Sequence, residues 1–572
     1  MKNKQMRRQK DHKVSRKRIY FLFILFLLGF FILAYKLVDI QYINASKYKS
    51  YADYQHTDES ILSAKRGKIL DRNGIELAVS LIEKTVYANP KRVADTVTEA
   101  AILSDILDLD QEEIIQKLSQ DDLGFVYVQR KVGTEVAEEI EQLNLPGIYI
   151  QNEAKRFYPQ DTLGAAIIGF TGIDNNGLSG IELQYEKNLR GVDGKFIAEK
   201  DVFGNIIPGD KQTYIEPING DDIMLTIDSQ IQYFAEQELQ KVVEDYSALR
   251  GMVVIMNPDN GEVYAMANYP VFDPNDYEDY DPETYKLLGT SYTYEPGSTF
   301  KIINIASALQ NGRVGSEQLF NLPAQIQVGD RFIKEIFRTA PIDYSTKDII
   351  KNSSNVGAVK VALAMGRQLF WESVKEFGFG QKTGIDYPGE ESGYMYDYRT
   401  WPESTIGAMA IGQSITVTPI QLLRAASAIA NGGYLVTPNL VKEISKKEDL
   451  LKIDNEKGKV RILDQDTSNR VKDMMLAVVE GGTGQNAGVE GVKVCGKTGT
   501  AEKANKNGAG YDEGRVITSF IGYAPYEHPQ AAILIVIDEP QGGENEIWGG
   551  TVAAPLFSKL MKFSLQRLSM IN

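Results

Sequence analysis

The chain has 572 residues, of which 43% are apolar and 24% are charged, and its formal net charge is −15. It is long enough for two or more domains with buried cores, and its single cysteine excludes an internal disulfide framework. The acidic balance argues against nucleic acid as a partner, because phosphate contacts need a basic surface.

Histidine is scarce, and its positions exclude one class of catalyst. The three histidines are His12, His56 and His528, so none lies between residues 57 and 527. A Ser-His-Asp triad needs an imidazole in the catalytic domain, and a zinc hydrolase needs a cluster of His or Cys ligands. Any serine chemistry in this chain must therefore use another base, and we expect no metal site.

The N-terminus combines a basic tail with an uncharged apolar run. Nine of the first 18 residues are Lys or Arg and one is acidic, which gives +8 and leaves −23 for residues 19–572. The run Ile19–Tyr35 would span about 26 Å as a helix, close to the ~30 Å of a bilayer core. A buried soluble helix would usually carry a polar stripe, so we expect residues 19–38 to be a transmembrane anchor. The tail of residues 1–18 predicts a cytoplasmic N-terminus and an extracytoplasmic remainder.

Residues 40–220 mix short strand-like and helical runs. Turn sequences such as D-R-N-G at Asp71 and D-N-N-G at Asp174 separate these runs. The run Glu99–Asp110 has the periodicity of an amphipathic helix. We expect a mixed α+β domain over this range.

From Asp221 onwards the pattern becomes a regular alternation of strands and helices. The predicted elements are a strand at 222–228, a helix at 231–246, a hairpin at 251–267 with its turn at 258–261, a strand at 531–538 and a helix at 553–563. We expect residues 221–572 to form one α/β domain.

A serine and a lysine stand three residues apart at the start of a predicted helix, in Y-E-P-G-S-T-F-K. This spacing puts Ser298 and Lys301 on one helix face, and the helix N-terminus offers N–H groups to a developing anion. Lys301 can accept the serine proton only if its pKa falls from ~10.4 to about 7 or 8, through burial and a second cation. Lys497 is the candidate for that cation. The same spacing at Ser46 and Lys49 is interpreted as chance.

Two further motifs follow the serine and lysine. Ser353 and Asn355 belong to S-S-N, which lies between two helical runs. K-T-G occurs at Lys382, among Gly and Pro residues that predict a loop, and again at Lys497. The second copy follows V-E-G-V-K-V-C and predicts an edge strand, to which a peptide can add as a further strand. We therefore assign Lys497, not Lys382, to the site.

The range 491–498 also fits the phosphate-loop pattern G-x-x-x-x-G-K-[ST]. The four residues between its glycines favour a strand, and Gly499 follows where a helix should begin. We interpret the match as an accidental overlay on a strand, within which Cys495 is a packing residue.

In this order, S-x-x-K, S-x-N and K-T-G resemble the signature of penicillin-binding proteins and serine β-lactamases. Further segments resemble the class B, monofunctional penicillin-binding proteins: R-G-K-I-L-D-R-N-G, R-F-Y-P, G-F-T-G-I-D-N-N-G-L-S-G-I-E, L-T-I-D-S-Q-I-Q and I-G-Q-S-I-T-V-T-P-I-Q-L. The third segment is most similar to the division-type branch with its sporulation members. The segments L-L-G-T-S-Y-T and A-Q-I-Q-V-G-D-R-F-I-K differ from the usual pattern, so the resemblance does not specify the substrate-contacting loops.

The resemblance implies the α/β (α+β) serine penicillin-recognising transpeptidase fold, with a central antiparallel sheet flanked by helices, in residues 221–572. It implies that residues 40–220 form a pedestal, the penicillin-binding protein dimerisation domain, above a single-pass anchor in the cell membrane. It also implies a SEDS-family glycosyltransferase and other divisome membrane proteins as partners. The choice between division, elongation and sporulation stays open.

The implied activity is cross-linking of peptidoglycan stem peptides that end in D-Ala-D-Ala, without a cofactor. The implied catalytic residues are Ser298, Lys301, Ser353, Asn355 and Lys497, and the implied substrate-binding residues are Thr498, Gly499 and Thr500. Ser298 would form the acyl-enzyme, with Lys301 as the base, and β-lactams would acylate the same serine.

Four other functions compete with this interpretation. An elongation-type class B transpeptidase and a D,D-carboxypeptidase would use the same residues, the latter with water as acceptor. A class D-like β-lactamase would be shorter and released. A non-catalytic β-lactam sensor or divisome scaffold would keep the pocket for binding, and a sensor would need several membrane spans.

Overall fold

The computed structural model describes residues 2–49, 57–199, 207, 212–336, 338–445, 450–452, 458–505, 510–543 and 546–569. The chain forms two compact units. One unit comprises Met1–Ala64 and Val192–Ile218, and the other comprises Lys65–Gly191 and Asn219–Asn572.

The elements are numbered in chain order. The α-helices are α1 (Lys2–Val38), α2 (Thr96–Leu107), α3 (Gln111–Leu118), α4 (Thr134–Gln142), α5 (Ala165–Ile168), α6 (Gly180–Gln184), α7 (Glu186–Leu189), α8 (Ser229–Asp245), α9 (Leu288–Ser291), α10 (Lys301–Gln310), α11 (Thr346–Lys351), α12 (Asn355–Met365), α13 (Arg367–Glu376), α14 (Thr405–Ala410), α15 (Pro419–Ala430), α16 (Gln465–Gly481) and α17 (Ala553–Arg567). The strands are β1 (Thr57–Leu62), β2 (Ile69–Leu70), β3 (Glu76–Ala88), β4 (Val126–Val132), β5 (Ile148–Phe157), β6 (Gly194–Glu199), β7 (Thr213–Ile215), β8 (Asp222–Leu225), β9 (Arg250–Met256), β10 (Val263–Tyr269), β11 (Leu319–Leu322), β12 (Gln325–Val328), β13 (Arg331–Lys334), β14 (Ile342–Ser345), β15 (Tyr394–Met395), β16 (Ile415–Thr416), β17 (Tyr434–Leu435), β18 (Val441–Ser445), β19 (Leu450–Lys452), β20 (Val460–Arg461), β21 (Cys495–Ala504), β22 (Tyr511–Ala524) and β23 (Ala531–Asp538).

The first unit contains the N-terminal helix and a small sheet. The segment Arg16–Ile43, which includes most of α1, is helical and is long and apolar enough to cross a membrane. Strands β1, β6 and β7 form an antiparallel sheet in that order. The predicted apolar helix is confirmed, and its length and composition are those of a membrane anchor.

In the second unit, three helices cover one face of a long strand. Strand β3 pairs antiparallel with both β4 and β5. Leu103 of α2, Ile114 of α3 and Ile140 of α4 pack with Val86 and Val128 of this sheet. The helical periodicity predicted for 99–110 is confirmed by α2.

A larger sheet extends from this layer. Its strand order is β19-β18-β8-β2-β3-β4, with β5 on β3, and β2 pairs parallel with β8. Because β8 and β18 lie after residue 220 and β2 to β5 lie before it, this sheet draws strands from both sides of that residue.

A buried ion cluster links three of the segments that carry the family resemblance. Glu182 accepts hydrogen bonds from Nε of Arg66 at 2.5 Å and from Nε of Arg156 at 2.6 Å, and these three side chains are at most 1% exposed. Arg66 also pairs with Glu186, which is 25% exposed, at 2.6 Å. Glu182 therefore pairs with both buried guanidinium groups and Glu186 with one of them, which is a structural role.

Glu182→Gln should destabilise the protein by about 3–5 kcal/mol, because it removes the carboxylate that pairs with the buried Arg156 and leaves Arg66 with Glu186 alone. The matched control is Glu186→Gln, for which we expect a loss of about 1 kcal/mol at this partly exposed position. Thermal unfolding of the detergent-solubilised full-length chain measures both losses. Equal, small losses would contradict the role of Glu182.

The central sheet of the second unit has five antiparallel strands in the order β10-β9-β23-β22-β21. The hairpin predicted at 251–267 is confirmed as β9 and β10, and the strand predicted at 531–538 is β23. Strand β21, which carries the second K-T-G, lies at the edge of this sheet, as predicted.

Helices cover both faces of the central sheet. Ile535 of β23 packs in a core with Leu239 of α8 and Leu556 of α17, whereas Leu534 belongs to the opposite core with Ile303 of α10. All eight residues of β23 are buried, as expected for a strand with helices on both faces. This packing fixes the sheet whose edge carries Lys497, and it confirms the predicted fold class.

Candidate active site

The predicted nucleophile lies in a tight turn against the edge strand. Ser298 is half-buried in the 3₁₀ turn Gly297–Phe300, directly before α10. Gly297 has φ +57° and donates its N–H to the carbonyl oxygen of Gly412 at 3.0 Å. A Cβ at Gly297 would lie 2.9 Å from Cβ of Ala501 on β21. Only glycine therefore allows this turn to approach the strand so closely.

Lys301 is the first residue of α10, and its side chain is fully buried. Its Nζ donates hydrogen bonds to the carbonyl oxygen of Ser353 at 2.6 Å and to Oδ1 of Asn355 at 2.7 Å. Within the described residues, no hydrogen bond joins Lys301 to Oγ of Ser298. Catalytic contacts of this kind commonly tighten only when substrate binds.

The S-S-N segment lies between α11 and α12, as predicted. Ser353 has φ +55°, a left-handed conformation that non-glycine residues seldom adopt. Asn355 is the first residue of α12, where Ser354 is the N-cap and accepts from the N–H of Gly357. The segment thus presents its oxygen atoms to Lys301.

Lys497 enters the site from the other side, on β21. Its Nζ is fully buried and donates to Oγ of Ser353 at 2.9 Å and to the carbonyl oxygen of Thr498 at 2.9 Å. Oγ of Ser353 also lies 3.3 Å from Nζ of Lys301. One serine hydroxyl therefore lies between two buried lysine amines.

Burial dominates the electrostatics of both lysines. It lowers the pKa of Lys301 from 10.5 to about 7, against the opposing effect of the Glu335 carboxylate. Burial and then the nearby charge of Lys301 hold the pKa of Lys497 well below its ordinary value. The predicted depression of the Lys301 pKa is confirmed, and burial is its main cause.

The rest of the K-T-G-T segment is closely packed. A Cβ at Gly499 would lie 2.3 Å from Oγ of Ser519 and 2.9 Å from Cγ2 of Thr299, so only glycine fits without displacement. Oγ1 of Thr500 accepts from the N–H of Gly549 at 3.1 Å. This packing holds the edge strand beside the Ser298 turn.

Two residues of the site were missed by the sequence analysis. Oγ1 of Thr483 lies 2.8 Å from Oγ1 of Thr498. Glu335, directly after β13, hydrogen-bonds the S-S-N segment. No spacing rule links either residue to its partner, because both contacts depend on the tertiary fold.

The competing motif assignments are resolved by the fold. Lys382 lies in a loop, where Thr383 donates both N–H and hydroxyl to Glu390, so the first K-T-G has a structural role. The phosphate-loop match leads into β21 rather than into a helix, as predicted. Cys495 is buried there, and burial raises the pKa of its thiol to about 12, which fits a packing residue.

Comparison with known families identifies this arrangement. Residues 251–562 match the penicillin binding protein transpeptidase domain, and residues 61–225 match the penicillin-binding protein dimerisation domain. The chain is a class B penicillin-binding protein. Stage V sporulation protein D of Bacillus subtilis is 35% identical over 97% of this chain and 86% of its own length. Peptidoglycan D,D-transpeptidase FtsI of Escherichia coli is 31% identical over 87% of this chain and 83% of its own length.

Solved structures of similar proteins share the fold of this penicillin-binding protein. A peptidoglycan synthetase from Bifidobacterium adolescentis has a TM-score of 0.72 and 26% identity, over 90% of this chain and 97% of its own. Penicillin binding protein 3 from Mycobacterium tuberculosis, complexed with aztreonam, has a TM-score of 0.70 and 25% identity, over 89% of this chain and 97% of its own. With the transpeptidase domain and these relatives, the chain is a peptidoglycan D,D-transpeptidase.

The buried Lys301 should make stability depend on pH. Its folded-state pKa, about 7, lies below its unfolded value, so the unfolded chain binds more protons between about pH 7 and 10. Raising the pH through this window should therefore stabilise the parent relative to Lys301→Met, by up to about 1.4 kcal/mol per unit.

The measurement is the thermal midpoint of both proteins between pH 7 and 9.5. The matched control is Lys559→Met, at a side chain that is 51% exposed, which should show no such trend. A difference between parent and Lys301→Met that does not change with pH would contradict the lowered pKa of Lys301.

Proposed function

We propose that Ser298 is the nucleophile of this transpeptidase and that Lys301, in its neutral form, is the general base. The observation that carries the proposal is the hydroxyl of Ser353, which lies 2.9 Å from Nζ of Lys497 and 3.3 Å from Nζ of Lys301. This chain of polar atoms can pass a proton without histidine. Ser298 attacks the carbonyl of the penultimate D-Ala, and Lys301 accepts its proton.

The leaving D-Ala takes its proton through Ser353. The amine of a neighbouring stem peptide then attacks the acyl-serine, and the new amide bond releases Ser298. Backbone N–H groups of Ser298 and Thr500 bind the oxyanion; loss of one such donor typically costs about 100- to 1,000-fold in rate. Both steps proceed without a cofactor.

Substrate recognition uses β21, the edge strand of the central sheet. A stem peptide ending in D-Ala-D-Ala adds to this edge as a further strand. Asn355 holds the substrate amide, while Lys497, Thr498 and Thr500 hold the terminal carboxylate, with Gly499 leaving room for the backbone. β-Lactams acylate the same serine, and the aztreonam and ampicillin complexes of Mycobacterium tuberculosis penicillin binding protein 3 support this expectation.

The protein crosses the cell membrane once. Residues 19–38 form the anchor, and the basic tail of residues 1–18 stays in the cytoplasm, because positive charge is retained on that side. The transpeptidase domain, residues 221–572, is extracytoplasmic. Residues 40–220 are the pedestal, supported by the dimerisation-domain match over 61–225.

The pedestal binds membrane partners of the cell-wall machinery, a SEDS-family glycosyltransferase and other divisome proteins. Cross-linking takes place during septal or spore wall synthesis, which the likeness to Stage V sporulation protein D and to FtsI supports. An elongation role and a D,D-carboxypeptidase reaction are the alternatives, followed by a non-catalytic sensor or scaffold.

Intact mass of the detergent-solubilised full-length chain after incubation with benzylpenicillin tests this proposal. We expect one drug molecule per parent chain and no adduct on Ser298→Ala. The matched control is Ser46→Ala, which removes the serine of the chance S-x-x-K match and should keep the adduct.

Each other outcome contradicts a part of the proposal. Rapid loss of drug without an adduct would indicate a β-lactamase. An adduct that survives in Ser298→Ala would place the nucleophile elsewhere. Intact drug and no adduct on the parent would indicate a pocket that does not react.

A further inference from the structure

A buried carboxylate lies against the S-S-N segment, outside the three motifs. Glu335 directly follows β13, and its side chain is 8% exposed. Its Oε1 accepts from the hydroxyl of Ser354 at 2.6 Å and from the N–H of Val356 at 3.0 Å. Its Oε2 accepts from the N–H of Asn355 at 3.3 Å. One carboxylate thus binds three consecutive residues of the site.

These contacts stabilise the first turn of α12. The first N–H groups of a helix have no partner within the helix, and a negative charge is favoured beside them. The β12–β13 hairpin contributes a second contact, because the carbonyl oxygen of Lys334 accepts from Nδ2 of Asn355 at 2.9 Å. Both the backbone and the amide of Asn355 are therefore held by one short segment, Lys334 and Glu335.

The held segment determines where the amine of Lys301 lies. Of the three acceptors of Nζ, two are atoms of Ser353 and one is Oδ1 of Asn355. Ser353 has a left-handed φ of +55°, so its conformation needs support from its neighbours. Glu335 supplies that support by binding the three residues that follow Ser353 in the chain.

Glu335 also contributes charge to the site. The titratable groups around Lys301 are Lys497 from β21 and Glu335, which is paired in turn with Arg338 at 3.2 Å. The negative charge of Glu335 raises the pKa of Lys301 and so opposes the effect of burial. Removing that charge should let Lys301 lose its proton at lower pH.

We propose that Glu335 is a positioning residue for acylation, whose carboxylate fixes Ser354, Asn355 and Val356 so that the S-S-N segment holds Lys301. This inference rests on the proposed roles of Ser298 and Lys301. It assigns a function to the residue directly after the segment A-Q-I-Q-V-G-D-R-F-I-K, which departs from the usual pattern of the family.

The test is the rate of acylation of the full-length chain by a fluorescent benzylpenicillin, measured from pH 5 to 9. In Glu335→Gln we expect a plateau rate lower by about 10-fold or more, because the geometry is lost. We also expect the rising limb of the plot of acylation rate against pH to move to lower pH by about half a unit or more, because the negative charge of Glu335 is lost. Glu335→Asp keeps the charge, so its limb should match that of the parent, with a plateau between those of parent and Gln variant.

Two further variants separate this role from a general loss of stability. Arg338→Gln leaves the carboxylate unpaired, so the limb should move to higher pH, opposite to Glu335→Gln. The matched control is Glu262→Gln, which removes a partly buried ion pair with Arg72 and should leave the profile unchanged. If circular dichroism shows that Glu335→Gln does not fold, the pH profiles of Glu335→Asp and Arg338→Gln test the inference instead.

A parent-like plateau and limb in Glu335→Gln would overturn the inference, as would a lower plateau with an unshifted limb. With the Asp and Arg338 variants alone, a parent-like plateau in Glu335→Asp or an unshifted pH profile in Arg338→Gln would overturn it. If the parent itself forms no adduct at Ser298, the proposed function fails, whereas normal parent acylation beside an unaffected Glu335→Gln means that only this inference fails.

Discussion

Lys301 and Lys497 are both buried beside the hydroxyl of Ser353, and the need to bury these two amines is the main constraint on the structure of the site. An ammonium group is costly to remove from water, so burial favours the neutral amine. At Lys301 this lowers the pKa to about 7, which is where a general base works best near neutral pH. In the proposed mechanism, a chain without a histidine between residues 57 and 527 thus obtains its base by burying a lysine.

The surrounding fold supplies that burial and fixes its geometry. Helices on both faces of the central sheet hold β23 in the interior and leave β21 at the edge. Gly297 lets the turn that contains Ser298 approach this edge, and Gly499 gives the strand the space to lie there. Glu335, directly after the β12–β13 hairpin, holds the S-S-N segment through Ser354 and Asn355.

Sequence reasoning identified the elements whose signals are local. The β9–β10 hairpin, the edge position of β21 and the loop around Lys382 follow from strand patterns and from Gly and Pro placement. Other features depend on residues that the fold brings together. Glu335 and Asn355 are 20 residues apart and Thr483 and Thr498 are 15 apart, with no periodicity to relate them. The pairing of β2 with β8 is likewise a long-range contact, invisible to local propensity.

The most direct test of this account is the titration of Lys301 itself. The full-length chain can be labelled with ¹³C at the ε-carbon of lysine, and Lys301→Arg identifies the resonance in the NMR spectrum. The account predicts a midpoint near pH 7 for this signal. A resonance that keeps the chemical shift of a charged amine up to about pH 10, the pKa of a free lysine, would contradict the claim that burial makes Lys301 the base.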